Sequence, residues 1–152
     1  MYLKEYLDQY KDIKIKLFVD MDGVIVDYVF GDVKDYHKKR PLFDSIRKLE
    51  TISKMPNIEL YIFSATRATE GIDQKHWWLD TYAPFFKKEN RIIISREDNN
   101  MEVSAVLKAN YLKEYKRDDS LIIVIDDDPK NLKEIKRLND DIILLKDTVL
   151  VD

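Results

Sequence analysis

Apolar residues along the chain occur either in short continuous runs or at intervals of three and four. Continuous runs rich in Val and Ile predict buried strands. Five such runs lie at residues 15–20, 58–63, 91–95, 121–125 and 142–145. Apolar residues at helical spacing predict an amphipathic helix over the first dozen residues and further helices between the strands. Strands that alternate with helices through short loops predict an α/β fold, a three-layer doubly wound parallel sheet.

The helices between the strands carry their own start and stop signals. Their apolar stripes lie within residues 42–52, 73–82, 103–111 and 132–138. Pro41 suits the first turn of one helix, and Asp128 followed by Pro129 is typical of a helix cap and its first position. The helix that ends at residue 82 stops before Pro84, since a proline disfavours helical backbone in the residue before it.

One segment departs from this alternation. Residues 24–36 are rich in Val, Ile, Tyr and Phe, with Gly31 and Asp32 in the middle. This composition predicts a β-hairpin with its turn at Gly31. The hairpin would form a flap above the end of the first strand, over Asp20.

Bulk properties narrow the functional classes. The 152 residues suit one domain over residues 1–152, and a hydrophobic content of 45% suffices for a sizeable core. The net charge of −3 disfavours a nucleic-acid partner without excluding one. The chain has no cysteine, so it has no thiolate metal site. No apolar stretch approaches the roughly 20 residues of a membrane span, and the charged N-terminus lacks a signal peptide, so we expect a cytoplasmic protein with no membrane partner.

Acidic residues follow two of the predicted strands directly. Asp20 and Asp22 end the first strand, and Asp126, Asp127 and Asp128 end the fourth. Open α/β sheets place their sites at the carboxyl ends of the strands. Crowded carboxylates raise one another's pKa, and a bound cation relieves this repulsion. Hard oxygen ligands suit Mg²⁺, so the sequence predicts a metal-assisted reaction at this edge.

Four motifs resemble those of the haloacid dehalogenase superfamily of phosphotransferases, and they occur in the family's order. They are DMDGV at residues 20–24, FSATR at 63–67 with Ser64, KANYL at 108–112 with Lys108, and DDDPKNL at 126–132. The resemblance covers residues 15–146, nearly the whole chain. Some likeness extends to the family's 5′-nucleotidase (deoxyribonucleotidase) branch, through the helix around Trp77.

The resemblance implies a Mg²⁺-dependent phosphomonoester hydrolase that acts through an aspartyl-phosphate. Asp20 would be the nucleophile, and Asp22 would protonate the leaving group and then activate water. Mg²⁺ would be bound by Asp20, the main-chain carbonyl of Asp22 and Asp127, with Asp126 as a possible further ligand. Asp20 near its ordinary pKa of about 3.9 would already be ionised. The dual role of Asp22 would require a raised pKa.

Phosphate binding is assigned by the same resemblance to a hydroxyl and a lysine. Ser64, expected just after its strand, would donate to a phosphoryl oxygen. Lys108 is preferred as the lysine because it lies shortly before the fourth strand. Lys75 is the alternative, because the deoxyribonucleotidase branch has a phosphate-binding lysine at that place. Most lysines on helices are solvated surface residues, so Lys108 and Lys75 could each be a surface residue without a functional role.

For other polar and aromatic residues, a structural role in the core or on the surface is at least as well supported as a functional role. Asn131 could reach the water shell of the metal or be a solvated helix residue, and Arg67 could steer phosphate or lie on the surface. The basic run at residues 38–40 is expected to be a solvated loop. Four rings are assigned no metal or substrate role: His37, His76, Trp77 and Trp78.

The spacing of the motifs leaves no room for a substantial cap domain. Capless relatives often act on phosphoproteins, nucleic-acid ends or other large phosphoesters, so the expected partner is a phosphorylated substrate, either a nucleotide or a bulky phosphoester. An alternative activity is that of a 5′-nucleotidase or a nucleic-acid-end phosphatase. Alternatives of another class are a phospho-accepting, receiver-like signalling domain and a non-catalytic scaffold. Receivers normally carry the acceptor aspartate after the third strand, where this chain has none.

Overall fold

Five parallel strands form the centre of the molecule. The structure is a computed structural model that describes residues 2–28 and 35–151. The strands are β1 Ile15–Val19, β2 Ile58–Thr66, β3 Arg91–Ser95, β4 Leu121–Asp126 and β5 Ile143–Lys146. They pair in parallel in the order β3-β2-β1-β4-β5. The predicted α/β class with a doubly wound parallel sheet is therefore confirmed.

The helices occupy the predicted intervals. They are α1 Leu3–Asp8, α2 Phe43–Ser53, α3 Glu70–Tyr82, α4 Ser104–Glu114 and α5 Pro129–Leu138. Helix α1 is shorter than expected, because the side-chain amide of Asn57 binds the carbonyls of Tyr10 and Ile13 and directs the chain into β1. Asp128 caps α5 as predicted, accepting a hydrogen bond from the amide of Lys130 at 2.9 Å.

Hydrophobic layers cover both faces of the sheet. On β1, Leu17 and Val19 pack in one core cluster with residues of α1, α2 and α3, while Phe18 packs in a second cluster with residues of α4 and α5. Successive side chains of a strand point to opposite faces. Both faces are therefore dry, which explains why the central strands are continuous apolar runs rather than alternating ones.

The register of β1 and β4 brings the acidic ends of these strands together. Val19 lies opposite Ile125, so Asp20 follows beside Asp126. The amide of Asp20 donates to the carbonyl of Ile125 at 3.0 Å, which fixes Asp20 at the end of the ladder. The strand β2 continues to Thr66, so Ser64 lies within the strand, opposite Ile93, and not after it as expected.

The segment after β1 returns to the chain just before α2. Val26 bridges to Pro41 in antiparallel fashion, and the amides of Asp27 and Leu42 complete the pairing with the carbonyls of Arg40 and Ile25, each at 2.8 Å. The turn of the predicted hairpin, at Gly31, lies outside the described residues. Between β2 and β3 the chain holds only α3 and a short 3₁₀ turn, with no cap domain inserted there. Within the described ranges, no helix has both the length and the apolar character needed to cross a membrane.

Candidate active site

Three aspartates from the ends of β1 and β4 converge at the carboxyl edge of the sheet. Asp20 is 7% exposed, Asp126 is fully buried and Asp127 is partly buried. One carboxylate oxygen of each lies within 4.8 Å of those of the other two. This triad could hold a metal ion, because hard carboxylate oxygens at such separations match the ligands of small divalent cations.

Lys108 of α4 lies between two of these carboxylates. Its Nζ is 3.1 Å from Oδ1 of Asp20 and 2.7 Å from Oδ2 of Asp126. The residue is 1% exposed, so the solvated reading of this lysine is wrong. Helix α4 determines the position of Lys108. It packs Ala109 and Leu112 into the core against the sheet, and the side chain of Lys108 then reaches the ends of the strands.

Asp126 accepts several hydrogen bonds besides that of Lys108. The amide of Asp128 donates to its Oδ1 at 2.9 Å, and the side-chain nitrogen of Asn131 donates to its Oδ2 at 3.1 Å. Asn131 is 7% exposed and is therefore not the solvated helix residue that one reading suggested. Because these donors hold Asp126, its carboxylate is well placed to orient Lys108, whereas Asp127 lines the cavity above the triad.

Gly23 makes the position of Asp127 possible. Its backbone has a φ of +82°, in the left-handed region that glycine adopts without strain. The carboxylate of Asp127 occupies the space that a side chain at position 23 would need. The glycine of the DMDGV motif therefore provides both the turn after Asp22 and room for the neighbouring acid.

Lys75 and Ser64 form a second buried pair next to the triad. The Nζ of Lys75 lies 2.6 Å from the hydroxyl oxygen of Ser64, 2.8 Å from the carbonyl oxygen of Ala65 and 3.2 Å from Oδ2 of Asp22. Ser64 is fully buried and Lys75 is 3% exposed, so Lys75 is not a solvated surface lysine. The structure thus places both candidate lysines at the site, Lys108 beside Asp20 and Lys75 beside Asp22.

Asp22 is held by three donors, two of which the sequence interpretation missed. The hydroxyl of Tyr36 donates to its Oδ1 at 3.0 Å, and the Nζ of Lys39 lies 3.2 Å from the same oxygen. Lys39 is 9% exposed, so the basic run at residues 38–40 is not uniformly a solvated loop. The indole nitrogen of Trp78 donates to the carbonyl of Lys39 at 3.1 Å and secures this segment to α3.

Burial is the largest influence on the pKa of Asp20 and on that of Asp127. It raises the pKa of Asp20 to about 8, against the pull of Lys108 and with the help of the charges of Asp126 and Asp22. Burial and the charge of Asp126 raise the pKa of Asp127 to about 6. The expectation of an ordinary pKa for Asp20 is therefore wrong, because burial together with the charges of Asp126 and Asp22 outweighs the opposing charge of Lys108.

The electrostatics around Asp22 are also opposite to the expectation. Burial by itself would raise the pKa of Asp22, but Lys75, Lys39 and the hydroxyl of Tyr36 together lower it below its ordinary value. Burial in turn lowers the pKa of Lys75, although Asp22 opposes this shift. The prediction of a raised pKa for Asp22 is wrong because the two lysines could not be placed beside it from the sequence.

The remaining candidates lie around this centre. Arg67 is exposed and lines a cavity beside Asp22. His37 contacts the ring of Trp77, and His76 lies beside Arg91, with Nδ1 3.3 Å from Nη1. Neither histidine belongs to the possible metal-binding group found among the described residues. Trp78 is completely buried, as expected of a core aromatic.

Comparison with known proteins identifies similar folds but no sequence relative. No protein-family model matches the sequence, and no curated protein does so either. One similar chain comes from a structure of the Pnkp1/Rnl/Hen1 RNA repair complex, with a TM-score of 0.68 and 13% identity over 88% of this chain and 42% of that chain. Another, from a structure of the Pnkp1/Rnl/Hen1 complex, has a TM-score of 0.69 and 12% identity over 89% of this chain and 46% of that chain.

This similarity establishes a shared fold. The chain spans less than half the length of each of these two proteins. The five-strand parallel sheet and its flanking helices are therefore common to this protein and to part of a component of an RNA repair complex.

Proposed function

We propose that the protein is a Mg²⁺-dependent phosphomonoester hydrolase of the haloacid dehalogenase type that acts through an aspartyl-phosphate on Asp20. The observation that best supports this proposal is the approach of Asp20, Asp126 and Asp127 to within 4.8 Å, with Lys108 3.1 Å from Asp20. The motif order and the fold similarity to a component of an RNA repair complex agree with phosphoester chemistry.

The donor set fits a hard divalent cation. Carboxylate oxygens of Asp20 and Asp127, with the main-chain carbonyl of Asp22, would hold Mg²⁺, and Asp126 would support them through Lys108 and Asn131. Burial and the neighbouring carboxylates raise the pKa values of Asp20 and Asp127, so a bound cation would stabilise their ionised forms. Mg²⁺ would supply positive charge at these carboxylates and would neutralise the phosphoryl oxygens of a substrate.

In the first step, a carboxylate oxygen of Asp20 attacks the phosphorus of the ester. A bond forms between this carboxylate oxygen and phosphorus while the bond from phosphorus to the ester oxygen of the leaving group breaks. Asp22 gives its proton to the ester oxygen of the leaving group. A phosphate dianion beside Lys75 offsets the positive charge of this lysine and repels the carboxylate of Asp22. The pKa of Asp22 therefore rises when substrate binds, which favours its protonated form.

In the second step, water attacks the phosphorus of the aspartyl-phosphate. Asp22 accepts the proton from this water, the bond between phosphorus and Asp20 breaks, and inorganic phosphate leaves. The hydroxyl of Ser64 and the ammonium groups of Lys75 and Lys108 stabilise the charge on the phosphoryl oxygens in both steps. Both lysines are buried, which strengthens these interactions relative to water.

Hydrolysis of p-nitrophenyl phosphate with and without Mg²⁺ tests the proposal. We expect activity that EDTA removes and Mg²⁺ restores, and we expect Asp20→Asn to reduce kcat by at least about 10³-fold, since no nucleophile remains. Asp140→Asn is the matched control, because Asp140 is an exposed acid that lines none of the cavities at this edge of the sheet. Activity that survives Asp20→Asn would refute the mechanism.

The receiver-like alternative is less well supported. Ser95 ends β3, where a receiver would carry its acceptor, and its hydroxyl lies 3.3 Å from that of Thr69. Incubation with acetyl phosphate separates the two functions. A receiver would accumulate a stable phosphoprotein, whereas a hydrolase turns the phosphoryl group over.

A further inference from the structure

The cavity above the triad adjoins a second cavity. The first has a volume of 430 Å³ and is lined by Asp20, Lys108 and Asp127, among others. The second has a volume of 290 Å³ and lies on the other side of Asp22. Asp22 and Ala65 line both. A substrate with its phosphate at Asp20 can therefore extend past Asp22 into the second cavity.

The second cavity has an excess of positive charge. Lys39 and Lys75 line it and share the single carboxylate of Asp22, and Arg67 adds an exposed guanidinium. Glu70 is the only other acidic residue that lines this cavity among the described residues. Three cations thus face two carboxylates, within a chain whose formal net charge is −3. This local excess suits a second anionic group of a substrate.

A third cavity adjoins the second and includes an exposed indole. Its volume is 400 Å³, and it is lined by His37, Asp73, Gln74 and Trp77. Gln74 lines both this cavity and the second one. The side chain of Trp77 is 50% exposed, and the imidazole of His37 contacts it edge to face at 5.7 Å between ring centroids.

Trp77 is held on a rigid support. Its neighbour Trp78 is fully buried in the core and binds the carbonyl of Lys39, so α3 is fixed directly beneath Trp77. A partly exposed aromatic ring on a fixed helix offers a flat apolar face. Nucleobases stack on such faces whatever their sequence, because every base has a π-face.

We infer that the groove formed by these three cavities binds the phosphorylated end of a single-stranded nucleic acid. The terminal phosphate lies at Asp20, a following backbone phosphate lies between Lys39 and Arg67, and a base stacks on Trp77. The metal site, the cationic cavity and the aromatic ring follow one another in that order, as the terminal phosphate, the next phosphate and a base do along a strand. The inference rests on the proposed function and specifies its substrate class as oligonucleotides rather than mononucleotides.

The kinetic test compares a phosphorylated oligonucleotide of about six nucleotides, a nucleoside monophosphate and p-nitrophenyl phosphate, with each end of the oligonucleotide phosphorylated in turn. We expect kcat/KM for one of the two oligonucleotides to exceed that for the mononucleotide by at least about tenfold, since each stacked base contributes to binding. The preference for that oligonucleotide is its kcat/KM divided by that for the aryl phosphate. Trp77→Ala should lower this preference about tenfold, and Trp77→Phe should retain most of the wild-type preference.

A binding test reads the cationic cavity separately from catalysis. Binding of the labelled oligonucleotide is measured by fluorescence anisotropy over a range of salt concentrations. Trp77→Ala should raise the dissociation constant about tenfold. Arg67→Gln should reduce the slope of log Kd against log salt by about 0.7, since one phosphate contact is lost. Tyr2→Ala and Arg137→Gln are matched controls, because these residues are exposed and line none of the three cavities.

The outcomes separate this inference from the proposed function. Equal kcat/KM for the mononucleotide and both oligonucleotides, with the aryl phosphate still hydrolysed, overturns the inference alone. Oligonucleotide binding that Trp77→Ala does not weaken also overturns it, and would indicate that a protein covers the indole instead. Oligonucleotide binding that depends on Trp77 without hydrolysis of any phosphoester supports the groove and overturns the proposed function.

Discussion

A Cβ atom at position 23 would lie 2.0 Å from Oδ2 of Asp127, so only a glycine at this position leaves room for the carboxylate where it lies. We predict that Gly23→Ala displaces Asp127 and weakens Mg²⁺ binding by at least about tenfold, the scale of effect seen when groups that orient metal ligands are changed. The positive φ of Gly23 adds backbone strain to the clash. Isothermal titration with Mg²⁺ measures the change.

Gly71 provides the matched control for this prediction. A Cβ at position 71 would also meet a side-chain oxygen at 2.0 Å, that of Thr66, but it lies in α3 away from the triad. Gly71→Ala should therefore change stability without changing Mg²⁺ affinity. Equal Mg²⁺ affinity in Gly23→Ala and the wild-type protein would show that Gly23 does not position Asp127.

The two buried lysines should differ in what they stabilise. Lys108→Met leaves Asp20 and Asp126 without their shared cation, so we expect a loss of about 3–5 kcal/mol in the free energy of unfolding, part of which Mg²⁺ recovers. Lys75→Met leaves Asp22 bound to Lys39 and Tyr36, so a smaller loss of about 1–2 kcal/mol is expected. Urea denaturation with and without Mg²⁺ measures both losses, and equal losses would contradict the assignment.

Stability of the metal-free protein should fall as the pH rises from 5 to 8. The pKa of Asp20 is raised to about 8, so between pH 4 and 8 the folded state retains a proton that the unfolded state has lost. Folding therefore takes up a proton, which becomes less favourable as the pH rises, and Asp127, with its pKa of about 6, acts in the same direction at lower pH. We expect a loss on the order of 4 kcal/mol across this range, since one proton taken up on folding costs about 1.4 kcal/mol per pH unit.

Asp20→Asn and Mg²⁺ should each reduce this pH dependence, and in Asp20→Asn only the part due to Asp127 should remain. The asparagine cannot ionise, so the variant should be more stable than the wild type at pH 8 although it is inactive. Mg²⁺ competes with protons for the carboxylates, so its stabilising effect should grow as the pH rises. Thermal unfolding at several pH values measures both effects. A metal-free wild-type protein that becomes more stable from pH 5 to 8 would contradict the prediction.

Lys39 should tune the protonation of Asp22. In Lys39→Met the carboxylate loses one of the cations that lower its pKa, so the pKa rises. The basic limb of the kcat/KM profile should then move to higher pH, because the protonated form of Asp22 persists to higher pH. Lys38→Met is the control, since Lys38 is exposed and pairs with Asp35 at 3.3 Å. An unchanged profile in Lys39→Met would indicate a purely structural lysine.

The sheet and the acids of the site were predictable because burial leaves a direct mark on sequence. Leu17, Phe18 and Val19 must be apolar on both faces of the sheet, and the polar residue that follows them marks the carboxyl edge. The order of strands then brings Asp20 beside Asp126. The interior position of Ser64 was missed, because a polar residue inside β2 resembles the end of an apolar run.

The groups around Asp22 could not be predicted in the same way. Tyr36 and Lys39 reach it through tertiary contacts, and nothing in their immediate sequence distinguishes Lys39 from its exposed neighbour Lys38. The directions of the pKa shifts depend on which charges share a dry environment. A signal was nevertheless present in the three-residue spacing of Tyr36 and Lys39, which places both on one side of a single 3₁₀ turn.

The central place of β1 in the sheet also has a kinetic consequence. Hydrogen-bonded neighbours flank β1 on both sides, and β4 lies between it and the edge strand β5. Fraying of an edge strand or of α1 leaves these ladders intact, so the backbone that carries Asp20 is released only when the domain opens cooperatively. Amide protons of residues 17–19 should therefore exchange with solvent among the slowest in the protein, and the chemistry at Asp20 should persist through local openings elsewhere.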